Sequence, residues 1–172
     1  AKRKAVELGI KNIEFAQADL LKLGSLGRAF DIIESVGVLH HLDNPFEGLE
    51  VLVSLLKHQG LMKLGFYSER ARRDIVRVRD MIDKEDIAST PHAIRIYRRR
   101  LFELKDSADL GFAISSSDFF STSACRDLLF HVKEHHMALP DLTKFMKDHE
   151  LNFLGFEIDS FVKRAYKNRF PE

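Results

Sequence analysis

One short segment limits what this chain can fold into more than any other, the apolar run Phe30–Gly37 (FDIIESVG). Such a density of apolar residues is typical of a strand buried on both faces of a parallel sheet.

A helix is predicted after this strand, because Asp43 or Asn44 can cap it and Pro45 suits its first turn. Its apolar stripe comprises Phe46, Leu49, Leu52, Val53 and Leu56. After Gly60, the run Leu61–Tyr67 predicts a second strand, so strand, helix and strand together predict an α/β fold with parallel crossovers.

The residues before this run show weaker patterns. Ala1–Gly9 is typical of the last turns of a helix that ends on a glycine cap, so we expect the chain to have been cut inside a helix. Ile13–Gln17 alternates apolar and polar residues and predicts a short strand. Leu20–Leu26, interrupted by Gly24, predicts a loop or a short helical turn.

The later residues are predicted to be mostly helical. Ser68 can cap a helix over Glu69–Lys84, whose buried side would carry Ile75, Val78 and Ile82. Further helices are predicted from Pro91 to about Leu104, over Cys125–Val132, from Pro140 to His149, and over Phe161–Phe170. The serine-rich segment Ser107–Ser123 predicts a loop, and the alternating segment Leu151–Ile158 predicts a strand.

Composition narrows the class of protein. A chain of 172 residues with 45% hydrophobic residues suits one globular domain. Lys+Arg total 27 against Asp+Glu 26, so the net charge of +1 gives no overall attraction to nucleic acid or to an anionic membrane. The single cysteine, Cys125, excludes an intrachain disulfide and a cysteine zinc site, and a cytoplasmic setting is expected. No apolar run reaches the about 18 residues that a membrane-spanning helix needs.

Four segments resemble, in order and spacing, the central motifs of class I S-adenosylmethionine-dependent methyltransferases: Ala18–Leu20, Phe30–Leu42, Leu55–Lys57 and Gly60–Leu61. A later segment, Phe120–Val132, is similar to methyltransferase domains associated with tetratricopeptide-repeat proteins. The resemblance implies an α/β fold with a Rossmann-like, doubly wound, mostly parallel sheet, here incomplete, and helical additions in the C-terminal half.

The resemblance also implies how a single partial domain over residues 1–172 is organised. Residues 1–67 would be the remaining cofactor-binding core, residues 68–150 a helical substrate or cap region, and residues 151–172 a late strand and tail. The family's glycine-rich loop and its ribose-binding acid would lie before Ala1, and its final strand after Glu172. The expected function is S-adenosylmethionine-dependent methyl transfer to an unidentified acceptor by the complete parent domain.

Site residues follow from the same resemblance. In the family an acidic residue binds the adenine of the cofactor. The resemblance implies that Asp19 has this role here and that Leu20 lies beside the adenine ring. Asp19 could instead cap the turn that begins at Leu20. The methionine part of the cofactor would lie against Glu34, Ser35, Val36 and Gly37. His40 and His41 follow at the lip of the site, where one of them could take a proton from the acceptor or could pack into the sheet.

Energetic reasoning predicts that this chain alone binds the cofactor weakly and does not turn over. A hydrogen bond to a charged group contributes about 1.5–3 kcal/mol, whereas micromolar affinity requires about 8 kcal/mol. The residues named above cannot reach that total. The alternative function is a non-catalytic, methyltransferase-like module that binds a partner in a repeat-containing protein, with a fused tetratricopeptide-repeat region as its candidate neighbour.

The arginines, histidines and cysteine outside the predicted cofactor site favour structural or solvent-exposed roles. The arginines within Arg70–Arg79 and Arg95–Arg100 could hold phosphate, but interleaved acids favour solvent-facing helices with internal ion pairs, so nucleic acid is not expected as a partner. His131, His135 and His136 favour a solvated helix face, and no metal site is predicted. Cys125 beside Arg126 could have a lowered pKa, although a small residue at a helix start is the simpler interpretation.

Overall fold

In a computed structural model of the protein, residues 1–104, 110–130 and 134–171 are described, apart from the Phe112 side chain. The chain divides into two compact units, residues 1–138 and residues 139–172. The first unit contains α1 (Lys2–Glu7), β1 (Phe30–Val36), α2 (Pro45–Ser54), β2 (Leu56–Gly65), β3 (Tyr67–Ser68), α3 (Arg73–Lys84), α4 (Pro91–Glu103), α5 (Gly111–Ser115), α6 (Thr122–Leu129) and β4 (His136–Met137), with 3-10 turns at Leu20–Leu26, Leu39–His41 and Ser117–Phe120. The second unit contains α7 (Leu139–Asp148) and α8 (Ser160–Arg169).

The predicted strand–helix–strand unit is confirmed. β1 and β2 pair in parallel, with Ile33 opposite Met62, and α2 connects them. Asn44 caps α2, because its side-chain oxygen accepts a hydrogen bond from the Phe46 N–H at 3.1 Å, and Pro45 is the first helical residue. The parallel pair is compatible with the Rossmann-like sheet implied by the resemblance.

The second strand differs from the prediction. β2 begins at Leu56, so the expected turn at Gly60 lies inside the strand as an irregularity. The register moves from Phe30 opposite Leu56 to Ile32 opposite Leu61, and Gln59 within the extra residues has φ of 62°. These residues bulge out of the ladder, as happens when one strand has more residues than its partner.

The expected burial of β1 on both faces is wrong. Ser35 is the only buried residue of the strand, whereas the side chains of Ile32 and Val36 are 68% and 54% exposed. A parallel strand is buried on both faces only where other elements cover both faces of its sheet. Within the described ranges β1 pairs with β2 alone, and nothing covers Ile32 or Val36.

Two of the three predictions for the N-terminal residues are confirmed. α1 ends at Glu7, and Gly9 takes φ of 66° while the Ile10 N–H donates to the Ala5 carbonyl at 2.9 Å, as in a glycine-capped helix end. Leu20–Leu26 is a 3-10 turn. Ile13–Gln17 forms no ladder with any described residue, so the predicted strand is wrong. Alternation alone does not make a strand when no neighbour supplies hydrogen bonds.

The main hydrophobic core lies between the helices α3 to α6 rather than at the sheet. Ile75, Val78 and Ile82 of α3 are buried, as predicted. They pack with buried residues of the other helices and turns: Ile94, Tyr97, Leu101, Leu110, Ala113, Ile114, Phe119, Cys125, Leu128 and Leu129. α3 begins at Arg73 instead of Glu69, because the preceding residues form a turn in which the Arg72 N–H donates to the Ser68 carbonyl at 3.0 Å.

The predicted serine-rich loop Ser107–Ser123 is wrong where the structure describes it. Residues 107–109 lie outside the described ranges. The remainder forms α5, the turn Ser117–Phe120 and the start of α6. The serines act as helix caps here: Ser116 Oγ accepts from the Asp118 N–H at 3.3 Å, and Ser121 Oγ from the Ala124 N–H at 3.4 Å. Phe119 between these two caps is 1% exposed, so the segment contributes to the core.

The predicted C-terminal helices are confirmed within the described residues. α6 covers the described part of Cys125–Val132 apart from Phe130, whereas residues 131–132 lie outside the described ranges. α7 and α8 match the predictions from Pro140 and over Phe161–Phe170. Leu151–Ile158 forms no ladder with a described residue, so the predicted strand is wrong. None of the described helices combines the length and the apolar character needed to span a bilayer.

Gly48 in α2 occupies a position where packing leaves no room for a side chain. A Cβ atom there would clash with Leu42 Cδ1 and would lie 2.8 Å from Cδ2 of the fully buried Leu39. We therefore expect Gly48→Ala to destabilise the first unit by about 1–3 kcal/mol, even though alanine favours a helix by about 1 kcal/mol. Urea denaturation followed by circular dichroism measures the change. The exposed Glu50→Ala on the same helix is the control, and a more stable Gly48→Ala variant would contradict this packing.

Candidate functional site

The carboxyl ends of β1 and β2 form a narrow edge. Val36 pairs with Gly65, and a Cβ on Gly65 would lie 2.7 Å from Val36 Cγ1, so the two strand ends approach closely only because residue 65 is a glycine. Gly37 follows β1 with φ of 75°, a left-handed conformation that glycine adopts without strain. The chain therefore turns sharply at the end of β1 and continues directly into Leu39–His41.

Two polar side chains near this edge have contrasting surroundings. Glu34 is more than half exposed and forms an ion pair with Lys63 of β2 at 3.2 Å. Ser35 is 6% exposed, and its Oγ has no hydrogen-bond partner among the described residues. A buried hydroxyl without a partner costs about 1–3 kcal/mol. Ser35 is thus a group that a ligand or another chain segment could satisfy.

Asp19 makes the capping contact that the sequence allowed. Its Oδ1 accepts a hydrogen bond from the Leu21 N–H at 3.1 Å, so it caps the turn Leu20–Leu26. Its other oxygen lies 4.0 Å from Lys22 Nζ, and the side chain is 52% exposed. Capping occupies one carboxylate oxygen and leaves the second facing Lys22 and solvent.

Gly48 brings Leu20 and Leu39 together on α2. A Cβ at Gly48 would lie 3.1 Å from Leu20 Cδ2 and 2.8 Å from Leu39 Cδ2. The segment that begins at Asp19 and the segment that carries the two histidines thus pack on the same helix. Two of the predicted site regions are therefore neighbours in the structure.

The two predicted histidines have different environments. His40 is 2% exposed, and its ring lies between the rings of His41 at 4.1 Å and Tyr67 at 4.4 Å between centroids. Its backbone carbonyl accepts a hydrogen bond from the His135 N–H at 2.8 Å. His40 therefore holds the end of the β1 region against the later segment, whereas His41 is the exposed member of the pair.

A second, two-stranded sheet joins distant parts of the chain beside these histidines. β3 and β4 pair in parallel, with Tyr67 opposite His136 and Ser68 opposite Met137. The Glu69 N–H adds a hydrogen bond to the Met137 carbonyl at 3.3 Å. This short ladder places Glu134, which precedes β4, next to α3.

Glu134 is the centre of a buried ion cluster. Its carboxylate is 2% exposed and lies 3.3 Å from Arg72 Nε, 3.0 Å from Arg79 Nη2 and 2.8 Å from His136 Nε2. Arg79 also donates to the Leu128 carbonyl at 2.8 Å. The Arg72 guanidinium lies 3.4 Å from the centroid of the Tyr67 ring, a cation–π contact. The cluster thus links α3 and α6 to the two-stranded sheet.

The surroundings of Glu134 lower its pKa. Burial alone would raise the pKa of this carboxyl group, because a charged carboxylate is poorly solvated there. The His136 hydrogen bond and the positive charges of Arg79 and Arg72 outweigh burial, so the pKa lies below its ordinary value. Glu134 is therefore a stable anion at neutral pH rather than a proton acceptor.

This ionisation predicts an acid-sensitive contribution to stability. A carboxyl group with a lowered pKa in the folded state stabilises the fold fully above its ordinary pKa of 4.5, and that stabilisation is lost as the pH falls through the lowered value. The difference in unfolding free energy between wild type and Glu134→Gln should therefore be constant near neutrality and shrink below pH 4.5. The contributions of the other carboxyl groups to the unfolding free energy are the same in both proteins, so they cancel in this difference. Urea titrations at a series of pH values measure it, and a difference that grows on acidification would contradict the cluster.

A cavity of about 480 Å³ opens beside this cluster. It is lined by His41, Tyr67, Arg72, Asp118, Ala124, Asp127, Leu128 and Glu134. Its lining combines a buried cation and a buried anion with exposed carboxylates at Asp118 and Asp127. A cavity of this size with a few convergent polar groups suits a small molecule or a side chain of a larger substrate.

Most of this cavity's polar residues were missed from the sequence. Arg72 was assigned to a solvated helix, and His135 and His136 to a solvated helix face. His136 instead lies in β4 and bonds to Glu134, so that interpretation is wrong for His136, while His131 lies outside the described ranges. The alternative of a lowered Cys125 pKa is also wrong: burial raises the pKa of this fully buried thiol, although the Arg98 charge opposes the effect.

Comparison with known proteins finds a relative and a matching family model. The chain is 28% identical over 163 residues to an uncharacterized protein of Synechococcus sp., an alignment that covers 84% of this chain and 36% of the relative. The chain thus spans about a third of the length of the curated relative that it matches. Residues 1–64 match a family model described as a methyltransferase domain. This match takes in β1, α2, the turn Leu39–His41 and nearly all of β2, so this part of the chain is similar to methyltransferase domains.

Proposed function

We propose that the full-length protein transfers a methyl group from S-adenosylmethionine to an acceptor held in the cavity beside His41. The observation that carries this proposal is the position of His41. It follows the β1 turn at Gly37 by four residues, and it also lines the cavity with Arg72 and Glu134. The edge where the cofactor would bind is therefore connected to the cavity by a few residues of chain.

The residues at the β1 edge fit a cofactor of this kind. Ser35 Oγ is buried without a partner among the described residues, and the left-handed Gly37 keeps side chains away from the turn. Ser35, Val36 and Gly37 would lie against the methionine part together with Glu34, and Asp19 and Leu20 would hold the adenine. When bound, the cofactor supplies an electrophilic methyl group on a sulfonium centre.

The cavity residues would bind and orient the acceptor. Asp118 and Asp127 offer exposed carboxylate oxygens that accept hydrogen bonds from an amine or hydroxyl group. Arg72 is fixed by Glu134 and Tyr67, so it presents its cation in a defined position. Methyl transfer depends mainly on alignment and proximity. His41, as the exposed ring at the lip, would orient the acceptor and accept the proton that the acceptor loses.

A second candidate function is a methyltransferase-like module that binds a protein partner. The observation that favours it is the exposed apolar surface on β1, where Ile32 and Val36 are 68% and 54% exposed. Large exposed apolar side chains on a strand are typical of surfaces that another chain segment covers. This alternative predicts no product formation even where S-adenosylmethionine binds.

Formation of S-adenosylhomocysteine by the full-length protein tests the proposal. A panel of small amine, hydroxyl and activated carbon acceptors should include at least one that supports turnover. His41→Ala should then lower kcat/KM at least about tenfold, because misplacing a substrate by a fraction of an ångström already costs such a factor. The exposed Glu50→Ala on α2 is the control and should behave like wild type. Turnover unaffected by His41→Ala would contradict the assigned cavity, and cofactor binding without any turnover would favour the module.

A further inference from the structure

A second concave surface lies on the first unit, between α4 and the turn Ser117–Phe120. Its volume is about 310 Å³, and it is lined by Arg95, Arg98, Arg99, Phe102, Phe119 and Phe120. None of these residues lines the cavity beside His41. We call this surface the arginine–phenylalanine groove.

Two arginines of the groove are available to an anion. Arg95 and Arg99 lie one helical turn apart on α4, and both are exposed. Neither makes an ion pair with a residue in the described ranges, in contrast to Arg100, which binds Glu85. The sequence-based expectation of internal pairing therefore holds for Arg100 and not for its two neighbours in the groove. Unpaired guanidinium groups one turn apart can bind phosphate oxygens bidentately.

The third arginine fixes the opposite wall. Arg98 Nη1 donates to the Phe119 carbonyl at 3.2 Å and to the Phe120 carbonyl at 2.9 Å. Arg98 thereby attaches the turn Ser117–Phe120 to α4. The aromatic wall is thereby joined to the helix that carries Arg95 and Arg99.

The aromatic wall presents a ring to solvent in a fixed orientation. Phe120 is 61% exposed, and its ring packs edge-on against the ring of Phe119 at 5.6 Å. Phe119 is 1% exposed and belongs to the core, so Phe120 is supported from below. Phe102 on α4 adds a second ring that is 45% exposed. Exposed rings beside two arginines that form no ion pair with a described residue combine stacking surface with positive charge.

We propose that the arginine–phenylalanine groove binds a nucleotide unit, free or within a single-stranded nucleic acid. The phosphate would bind Arg95 and Arg99, and the base would stack on Phe120. Cationic grooves with exposed aromatic rings bind single strands in this way, because every base offers a flat face to the ring. An extended acidic peptide fits less well, since a helix and a turn line the groove and leave no open strand edge for it to pair with.

Fluorescence anisotropy with a labelled ten-nucleotide oligoadenylate tests the proposal on the whole chain. Binding is expected at low salt. Arg95→Gln combined with Arg99→Gln should weaken it at least about tenfold and should reduce the slope of log affinity against log salt by about 1.4, the value for two lost phosphate contacts on a single strand. The matched control, Arg70→Gln combined with Arg126→Gln, removes the same charge outside both cavities and should retain most of the affinity.

Substitution of the aromatic ring separates stacking from charge. Phe120→Leu should weaken oligoadenylate binding by about fivefold or more, the loss expected from one stacked base, and should leave the salt slope unchanged. Competition by adenosine monophosphate would identify the free nucleotide as a sufficient ligand, and binding of the oligomer alone would identify the single strand. Absence of oligomer binding would overturn the proposal. Unchanged binding in the double arginine variant, or competition by polyglutamate as effective as by oligoadenylate, would also overturn it.

Discussion

Glu134→Ala should lower the unfolding free energy by about 3–5 kcal/mol, the cost of removing one partner from a buried ion cluster. The carboxylate is 2% exposed, and it neutralises Arg72 and Arg79, whose side chains are 8% and 14% exposed. Without it, two guanidinium groups would remain in a poorly solvated site without the carboxylate that lies 3.3 and 3.0 Å from them. The loss should appear as a lower urea midpoint by circular dichroism.

Two further variants test whether the loss of stability comes from the charge of Glu134. Glu134→Gln keeps the shape and one hydrogen-bond acceptor but removes the charge, so its loss should be smaller than that of Glu134→Ala yet clear. Glu50→Ala removes an exposed carboxylate on α2 and should change stability by no more than about 0.5 kcal/mol. A Glu134→Ala variant as stable as Glu50→Ala would show that the cluster does not join α3 to β4.

Phe119→Ala should be similarly costly, at about 3–5 kcal/mol. Phe119 is 1% exposed and packs in the main core with residues of α3, α4 and α6. Truncation to alanine would leave a cavity that the surrounding helices can fill only in part. Urea denaturation of the whole chain measures this loss.

The neighbouring Phe120 provides the matched control. It has the same side chain in the same turn but is 61% exposed, so Phe120→Ala should lose only its edge contact with Phe119, about 0.5–1.5 kcal/mol. Equal losses for the two variants would contradict the inward orientation of Phe119. That outcome would instead favour the exposed loop that the serine content of this segment predicts.

The sequence predicted those elements whose signals are local. Asn44 and Pro45 define the start of α2 within three residues, and the cap is present as expected. The spacing of Ile75, Val78 and Ile82 identifies the buried face of α3 because all three lie on one helix. Short-range hydrogen bonds and helical periodicity depend on neighbouring residues alone, so the sequence is sufficient for them.

Burial and ladder formation depend on which segments meet, and there the sequence predicted less. The apolar run of β1 forms a strand, but Ile32 is exposed because nothing in the described ranges covers that face. Ile13–Gln17 has the alternation of a strand but forms no ladder with a described residue. The serines around Phe119 were interpreted as loop residues, whereas their side chains cap helices and carry Phe119 into the core.

In the candidate site, too, the sequence predicted local features better than contacts between distant segments. His41 was assigned to the lip of the site by resemblance, and it does line a cavity. The ion cluster beside this cavity could not be found in this way, because Arg79 and Glu134 are separated by 55 positions and lie together only in the folded chain, where β3 pairs with β4. From the sequence alone, arginines on a helix and a cluster of histidines are both typical of solvent-exposed surfaces. Only the folded structure shows that they meet.

We propose that Asp19 and the residues at the end of β1 together hold S-adenosylmethionine. Isothermal titration of this cofactor into the full-length protein, with Asp19→Ala and the control Asp148→Ala, tests it most directly. We expect micromolar binding for wild type and the control, and binding weaker by about tenfold or more for Asp19→Ala, as for loss of a hydrogen bond to a charged group. The absence of binding to the full-length protein, or equal affinity in Asp19→Ala, would contradict the claim.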